Sequence, residues 1–380
     1  MKYYIITGEA SGDLHASNLM KELKNEDAQA DFRFWGGDLM QAQGGEMVKH
    51  YRETAFMGFV TVLKNLKTIR ANFTLCETDL LAFAPDVLIL VDYPGFNLRM
   101  AAFAKKHGIR VHYYISPKIW AWKESRVKKI KAHVDRMFTI FPFETEFYKK
   151  HDYEVSFGGN PLLDAIENRE NKEESLDQFV ERNELEKKPI IALLAGSRKQ
   201  EIERILPVML QVVDRFPDYQ FVVAGAPSIT KEFYASVSKG SKLRFVYSQT
   251  YDLLQQSKAA LVASGTATLE TALLRIPQVV CYKMSGGSLA YRLGKMLLNI
   301  KYISLVNLVV DKFVVKELIQ QYCNPQSIGD ELNLILKDEA YRSKMLANYE
   351  DLNQHLGGVG ASARFAKMIY EDLLYQNKNN

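Results

Sequence analysis

"IITGEASGDLH", residues 5–15, is the stretch whose reading decides the fold. A short apolar run reaches a glycine-containing turn and then a helix-compatible segment, the outline of a nucleotide-binding strand–turn–helix unit. Its loop, however, carries two carboxylates, Glu9 and Asp13, where a diphosphate needs glycine and bare backbone N–H groups.

Working outward, 380 residues are more than one core usually organises and suit two domains. Apolar residues make up 47% and charged residues 25%, ordinary for a globular protein. The net charge of +4 argues against a dedicated nucleic-acid binder. The positive excess is local: residues 118–136 hold seven Lys or Arg against Glu124 and Asp135. Cys76, Cys281 and Cys323 are too few and too scattered for a disulfide framework or a spaced metal site, which suggests a reducing compartment. The first strand is too short for a signal peptide or a membrane span, so a soluble or peripheral protein is expected.

Both halves alternate apolar strands with helical patterns. Strands are expected at 3–7, 32–35, 87–92, 110–115 and 137–141, then at 190–195, 220–224, 244–247, 259–263 and 278–282. Fully apolar strands alternating with helices mean parallel sheets covered on both faces. The reading is α/β: two Rossmann-like, doubly wound domains facing a cleft, with a helical C-terminal tail. Boundaries are expected at 1–165 for the first domain and 189–355 for the second. A charged linker or excursion with a short helix fills 166–188, and a C-terminal helix at 356–380 is free to cross back to the first domain.

In the second half, Gly196, Ser197 and Arg198 close an apolar strand at a helix start. Glycine admits a ligand to the backbone, Ser197 can cap the helix, and Arg198 offers a forked donor to phosphate oxygens. Ser264, Gly265 and Thr266 form a second such junction, and Glu270 follows one turn in, placed for ribose hydroxyls. Each junction alone is equally a plain helix cap; two in one domain favour a nucleoside diphosphate. No phosphate-loop motif G-x-x-x-x-G-K-[ST] occurs, so nucleotide hydrolysis is not supported.

In the first half, "LILVDYPGFN" (88–97) sets Asp92 at the carboxyl end of an apolar strand, as a general base or as a turn aspartate. "YYISPKIWAWKESRVKKIK" (113–131) places Trp120 and Trp122 before a cationic helix containing Arg126. Such a stretch can line a sugar or acyl pocket, meet anionic headgroups, or be a basic helix anchored in the core. Met57, Phe59, Val60, Val62, Leu63 and Leu66 give residues 55–73 a broad apolar face, either a core helix or a membrane-surface or acyl-chain wall. The seven histidines show no paired ligand spacing, so no metal is expected, and His15 is only a weak candidate beside the first loop. No cofactor is expected either.

Taken in order, GEASGD (8–13), MGF (57–59), DYPGFN (92–97), SPKIWAWKESRVKKI (116–130), FPFE (141–144), AGSRKQEI (195–202), SGTATLE (264–270) and YISLVNL (302–308) resemble the lipid-A-disaccharide synthases, glycosyltransferases of the GT-B type. The resemblance implies a donor, UDP-2,3-diacylglucosamine, and an acceptor, 2,3-diacylglucosamine 1-phosphate, joined by a β-1,6 bond with release of UDP. It implies a peripheral enzyme at the cytoplasmic face of the Gram-negative inner membrane, leaves a homodimer open, and calls for no nucleic acid. It gives catalytic weight to Asp92 and Arg198 and nucleotide contacts to Glu270 and Asn307. The sequence departs from the family where Ala195 and Val306 stand in place of its common prolines.

An α-linked donor yielding a β-glycoside requires inversion, with one carboxylate deprotonating the acceptor hydroxyl. Asp92 is the expected base, with Arg198 and two helix N-termini on the leaving diphosphate. Glu9, Ser11, Asp13, Asn97, Trp120, Trp122 and Arg126 are expected on the acceptor side, since an acidic loop suits sugar hydroxyls and repels a diphosphate. Two alternatives share these features in part: a GT-B-like UDP-sugar epimerase, and a non-catalytic glycolipid-binding protein at the membrane surface.

Overall fold

The computed structural model describes residues 1–53, 66–121, 124–238, 243–284 and 301–379. The chain divides into two compact units, residues 1–165 with 356–380, and residues 166–355.

The first unit is built on a seven-stranded sheet: β1 (Lys2–Ile6), β2 (Asp31–Gly36), β3 (Glu46–His50), β4 (Val87–Val91), β5 (Arg110–Tyr114), β6 (Arg136–Thr139) and β7 (Ser156–Phe157). Their order is β3-β2-β1-β4-β5-β6-β7, and every pairing is parallel. Helices α1 (Ala10–Glu26), α2 (Asp38–Ala42), α3 (Leu66–Phe83), α4 (Pro94–Lys106), α5 (Val127–His133), α6 (Pro142–Lys149) and α7 (Leu162–Glu167) follow the strands. The continuous apolar run of β4, VLILV, is wholly buried, as a strand covered on both faces must be.

The second unit begins with α8 (Leu176–Arg182) and carries a parallel sheet of β8 (Ile190–Leu194), β9 (Gln220–Gly225), β10 (Arg244–Tyr247), β11 (Ser257–Ala263), β12 (Gln278–Tyr282) and β13 (Lys316–Ile319), in the order β10-β9-β8-β11-β12-β13. Its further helices are α9 (Lys199–Leu210), α10 (Lys231–Ser238), α11 (Thr250–Gln255), α12 (Thr266–Leu273), α13 (Leu305–Val309), α14 (Pro325–Lys337) and α15 (Glu339–His355). Residues 166–188, expected as a charged linker or excursion with a short helix, are mostly exposed and carry α8, whose Phe179 and Val180 join the core of this unit. Arg182 also pairs with Glu174 and Asp252 at 2.7 and 3.1 Å.

The last helix, α16 (Ala361–Asn379), belongs to the first unit and packs along α1. Asp372 anchors it, accepting from Arg110 Nε at 2.7 Å and Arg136 Nε at 2.8 Å and meeting His112 Nε2 at 2.9 Å. Burial pushes the Asp372 carboxyl up, and the hydrogen bonds from His112, Arg136 and Arg110 more than offset it, holding it well below the usual carboxylate range.

In each sheet the winding direction reverses once, between β1 and β4 and between β8 and β11. Open parallel sheets place ligands beyond the carboxyl ends of the strands at that reversal. GEASGD and DYPGFN follow β1 and β4; AGSR and SGT follow β8 and β11. The four loops singled out by sequence therefore stand at the two places where such sheets bind ligands.

Candidate active site

On the first unit, Asp92 and Tyr93 leave β4 with φ of 43° and 47°, and Ile115 leaves β5 with φ of 64°. Side-chain-bearing residues pay about 1–3 kcal/mol each for left-handed backbone, and such strain concentrates where a structure over-determines a site. Here the strain is held in place. Asn97, fully buried, donates to the carbonyls of Asp92 at 2.8 Å and Val91 at 3.2 Å, and more distantly to that of Ile6 at 3.4 Å. Tyr113 adds its hydroxyl to the same Asp92 carbonyl.

The half-buried Asp92 carboxyl is pushed up to about 6, chiefly by burial. Lys118 opposes that rise, Glu9 adds to it, and the Tyr93 N–H partly offsets it by donating to the carboxylate. Glu144 is pushed up to about 7 by burial, against the N–H groups of Ile140 and Phe141 at 3.1 and 3.0 Å and the Trp120 indole at 3.2 Å. Lys118 lies within electrostatic reach of both carboxyls. A base that stays protonated until about pH 6 and then ionises is matched to work near neutrality.

The opening loop is tighter than a phosphate loop, because α1 begins directly after Glu9. Gly8 is needed there for another reason: a Cβ would lie 2.4 Å from the Tyr93 ring. Ser11 is exposed on the first turn of α1.

Asp13 is bonded within the unit. Its oxygens accept the N–H groups of Gly37, Leu39 and Met40 at 2.8–3.1 Å, tying α1 to the start of α2. The Asn97 Nδ2 is taken by strand-end carbonyls, and its buried Oδ1 has no hydrogen-bond partner among the described residues. Trp120 turns its N–H to Glu144 and its ring edge-on to Phe143. Trp122 and the apolar residues Met57, Phe59, Val60, Val62 and Leu63 lie outside the described residues, as does the side chain of Leu66.

On the second unit, Gly196 has φ of 112°, and a Cβ there would lie 2.6 Å from a Glu201 oxygen, so only glycine fits. Ser197 N–H donates to Glu201 at 3.3 Å, and the exposed Arg198 guanidinium stands 3.7 Å from it. Arg198, at the start of α9, is free to turn to a ligand. Ser264 is pinned by its N–H to the Cys281 carbonyl at 3.0 Å and by its hydroxyl to the Ile303 carbonyl at 3.1 Å. Gly265 faces open space and Thr266 is exposed. Glu270 is half-buried, its pKa raised by burial, and accepts from the Tyr251 hydroxyl at 3.3 Å.

Asn307, to which the resemblance gives a nucleotide contact, is bonded within the unit. It is fully buried, donates to Val315 O and Glu317 and accepts from the N–H groups of Val314 and Val315, all at 2.8–2.9 Å. Glu317 in turn accepts from Ile303 and Ser304 N–H, so this pair holds the YISLVNL segment against β13.

Lys118, Glu144, Tyr93 and Tyr113 were not singled out from sequence. Glu144 had a signal, since Pro followed by Glu at the third position of a helix marks a carboxylate folded back onto the preceding N–H groups. Among the described residues no three His, Cys, Asp or Glu side chains converge as metal ligands.

Two parallel sheets, each with loops gathered at its winding reversal, are the architecture of the GT-B fold. Solved structures agree in fold. The UDP-GlcNAc 2-epimerase of Neisseria meningitidis, bound to UDP-GlcNAc, superposes with a TM-score of 0.62 at 15% identity, covering 99% of this chain and 100% of that one. The calicheamicin glycosyltransferase CalG4 superposes at 0.57 with 14% identity, covering 98% of each.

The sequence narrows this further. The family described as lipid-A-disaccharide synthetase matches residues 3–366. The lipid-A-disaccharide synthase of Geobacter sulfurreducens is 38% identical over 376 residues, 97% of this chain and 96% of the relative. That of Coxiella burnetii is 36% identical over 370 residues, 96% and 97% of the two chains. The chain belongs to the lipid-A-disaccharide synthase family, and it is a disaccharide-forming glycosyltransferase acting on a UDP-sugar and a lipid acceptor. The epimerase likeness is one of fold.

Proposed function

We propose that Asp92 is the general base that takes the proton from the 6-hydroxyl of 2,3-diacylglucosamine 1-phosphate. That oxygen attacks the anomeric carbon of UDP-2,3-diacylglucosamine from the face opposite the diphosphate. The C–O bond to the leaving group breaks with inversion, giving the β-1,6 disaccharide 1-phosphate and UDP. The observation that carries this reading is the Asp92 carboxyl at the sheet reversal, raised to about 6 by burial with Lys118 in reach. Glu9 and Ser11 are assigned to the acceptor sugar, and Glu9 also keeps Asp92 basic.

On the second unit, Arg198 and the backbone of Gly196, Ser197, Gly265 and Thr266 are assigned to the diphosphate. The two loops open α9 and α12, whose N-termini favour negative charge. Donors aimed at the developing leaving-group charge commonly supply the larger part of catalysis. Glu270 is assigned to the ribose hydroxyls.

The enzyme is further assigned to the cytoplasmic face of the inner membrane as a peripheral protein. Its substrates carry acyl chains, residues 118–136 are rich in Lys and Arg, and among the described residues no helix is long and apolar enough to cross a bilayer. Replacing Phe59, Val62 and Leu66 with Ser should release a folded protein from vesicles; loss of folding instead would assign those residues to the core.

The test of the reaction is incubation with both acylated sugars and mass spectrometry of the products. A tetraacyl disaccharide 1-phosphate with stoichiometric UDP supports the reading. A UDP-sugar epimer, or no product from active-site-saturating substrates, overturns it.

A further inference from the structure

A cavity of about 380 Å³ opens between α4 and α5 on the first unit, lined by Pro94, Gly95, Leu98, Arg99, Ala102, Arg126, Lys129 and His133. Its walls follow from helix periodicity. Residues 94, 98 and 102 recur every four along one face of α4, and 126, 129 and 133 recur at three and four along α5 and the turn before it. The α4 wall is therefore mostly small and apolar, with Arg99 at its edge, and the α5 wall is basic.

Arg99, Arg126 and Lys129 bring positive charge to the cavity, with His133 beside them. Among the described residues none of the four makes an ion pair. The flanking acids turn elsewhere, Glu124 to His151 at 2.9 Å and Asp135 to Lys105. Arg99 lies over the Phe73 ring, 3.9 Å from its centre, which steadies the guanidinium without neutralising it. Unpaired cations held around a concave, partly apolar surface repel one another, and a dianion relieves that cost.

The cavity begins two residues after Asp92. Arg126 is within electrostatic reach of Tyr113, whose hydroxyl holds the Asp92 carbonyl. The acceptor presents the matching chemistry, with a phosphate monoester at C1 and the reacting hydroxyl at C6 of the same ring.

We infer that this cavity is the subsite for the acceptor's 1-phosphate, with Arg126 and Lys129 as its principal ligands and Arg99 and His133 at its edge. The inference rests on the assignment of the first unit to the acceptor. Holding the phosphate on α4 and α5 fixes the far end of the sugar while its 6-hydroxyl reaches the base. The enzyme then discriminates its acceptor by charge as well as by acyl chains, and a 2,3-diacylglucosamine lacking the phosphate becomes a poor substrate.

The experiment compares two acceptors, 2,3-diacylglucosamine 1-phosphate and the same sugar as its 1-O-methyl glycoside, with wild-type enzyme and with Arg126→Gln, Lys129→Gln and their combination. Wild type should prefer the phosphorylated acceptor in kcat/KM by about ten- to a hundredfold, the range expected for charge-assisted bonds to phosphate. In the double variant that ratio should fall toward one, mainly through a higher KM for the phosphorylated acceptor, and Arg126→Lys should restore part of it. Circular dichroism and melting establish that each variant is folded.

Equal losses on both acceptors would overturn the inference. So would an unchanged ratio accompanied by lost binding to phosphatidylglycerol vesicles, which would give the cavity to a bilayer phosphate. Failure of wild type to glycosylate either acceptor would instead overturn the glycosyltransferase reading itself, so the two failures are distinguishable.

Discussion

The Asn97 side chain, with no exposed surface, donates to the carbonyl oxygen of Asp92 at 2.8 Å. Asn97 is thus the residue that holds the strained exit of β4. Asn97→Ala would leave the Asp92 and Val91 carbonyls without that donor. The expected cost is about 2–3 kcal/mol of stability, read by denaturant unfolding. Turnover should fall further than stability explains, because Asp92 and Tyr93 are then free to relax out of left-handed backbone.

Lys118 opposes the upward push of burial on Asp92. With Asp92 as base, kcat/KM should rise with pH through about 6 and level off above it, since the protonated carboxyl cannot accept a proton. Lys118→Gln removes a charge that favours the ionised form, so the limb should move to higher pH. A limb that stays in place in that variant would separate it from Asp92.

Gly196 combines φ of 112° with a Glu201 oxygen 2.6 Å from where a Cβ would sit. Gly196→Ala should therefore cost about 1–3 kcal/mol and weaken UDP binding by displacing the Ser197 and Arg198 backbone. Calorimetric titration with UDP reads the second effect. Unaltered affinity would remove this loop from the diphosphate site.

Asp372 ties α16 to Arg110, His112 and Arg136. Asp372→Asn should cost about 2–3 kcal/mol, less than a fully buried network would because Arg136 is half exposed. The Asp372 pKa is depressed in the folded state, so its contribution is complete above the carboxylate's unfolded value near 4 and fades as pH falls below it. The variant's deficit should accordingly shrink in acid, measured by melting between pH 7 and pH 3.

Much of the fold was legible because buried parallel strands leave a plain mark. YYII, VLILV and IIALL have no polar position to mislead. Glu46–His50, Ser156–Phe157 and Lys316–Ile319 were not foreseen, since these strands are short, charged or at a sheet edge and carry little periodicity.

The sequence marks the loops where candidate chemistry and left-handed backbone coincide, as at Asp92 and Gly196. It does not show where a polar side chain also serves the backbone. Asp13, Asn97 and Asn307 look like ligand contacts in sequence, yet each satisfies three or more main-chain or carboxylate partners. The acidity of GEASGD is therefore divided. Glu9 faces Asp92 electrostatically, whereas Asp13 binds helix α2.

The central claim, that Asp92 is the base, is tested most directly by Asp92→Asn assayed under single turnover, with UDP affinity measured in parallel. The variant should bind UDP, lose at least about a hundredfold in rate, and lose the pH limb near 6. It should also be as stable as wild type or more so at pH 8, because a carboxyl whose folded pKa is raised costs stability as pH climbs from the unfolded value near 4 to about 6, and that cost is complete at pH 8. Near-normal turnover with UDP still bound would contradict the assignment.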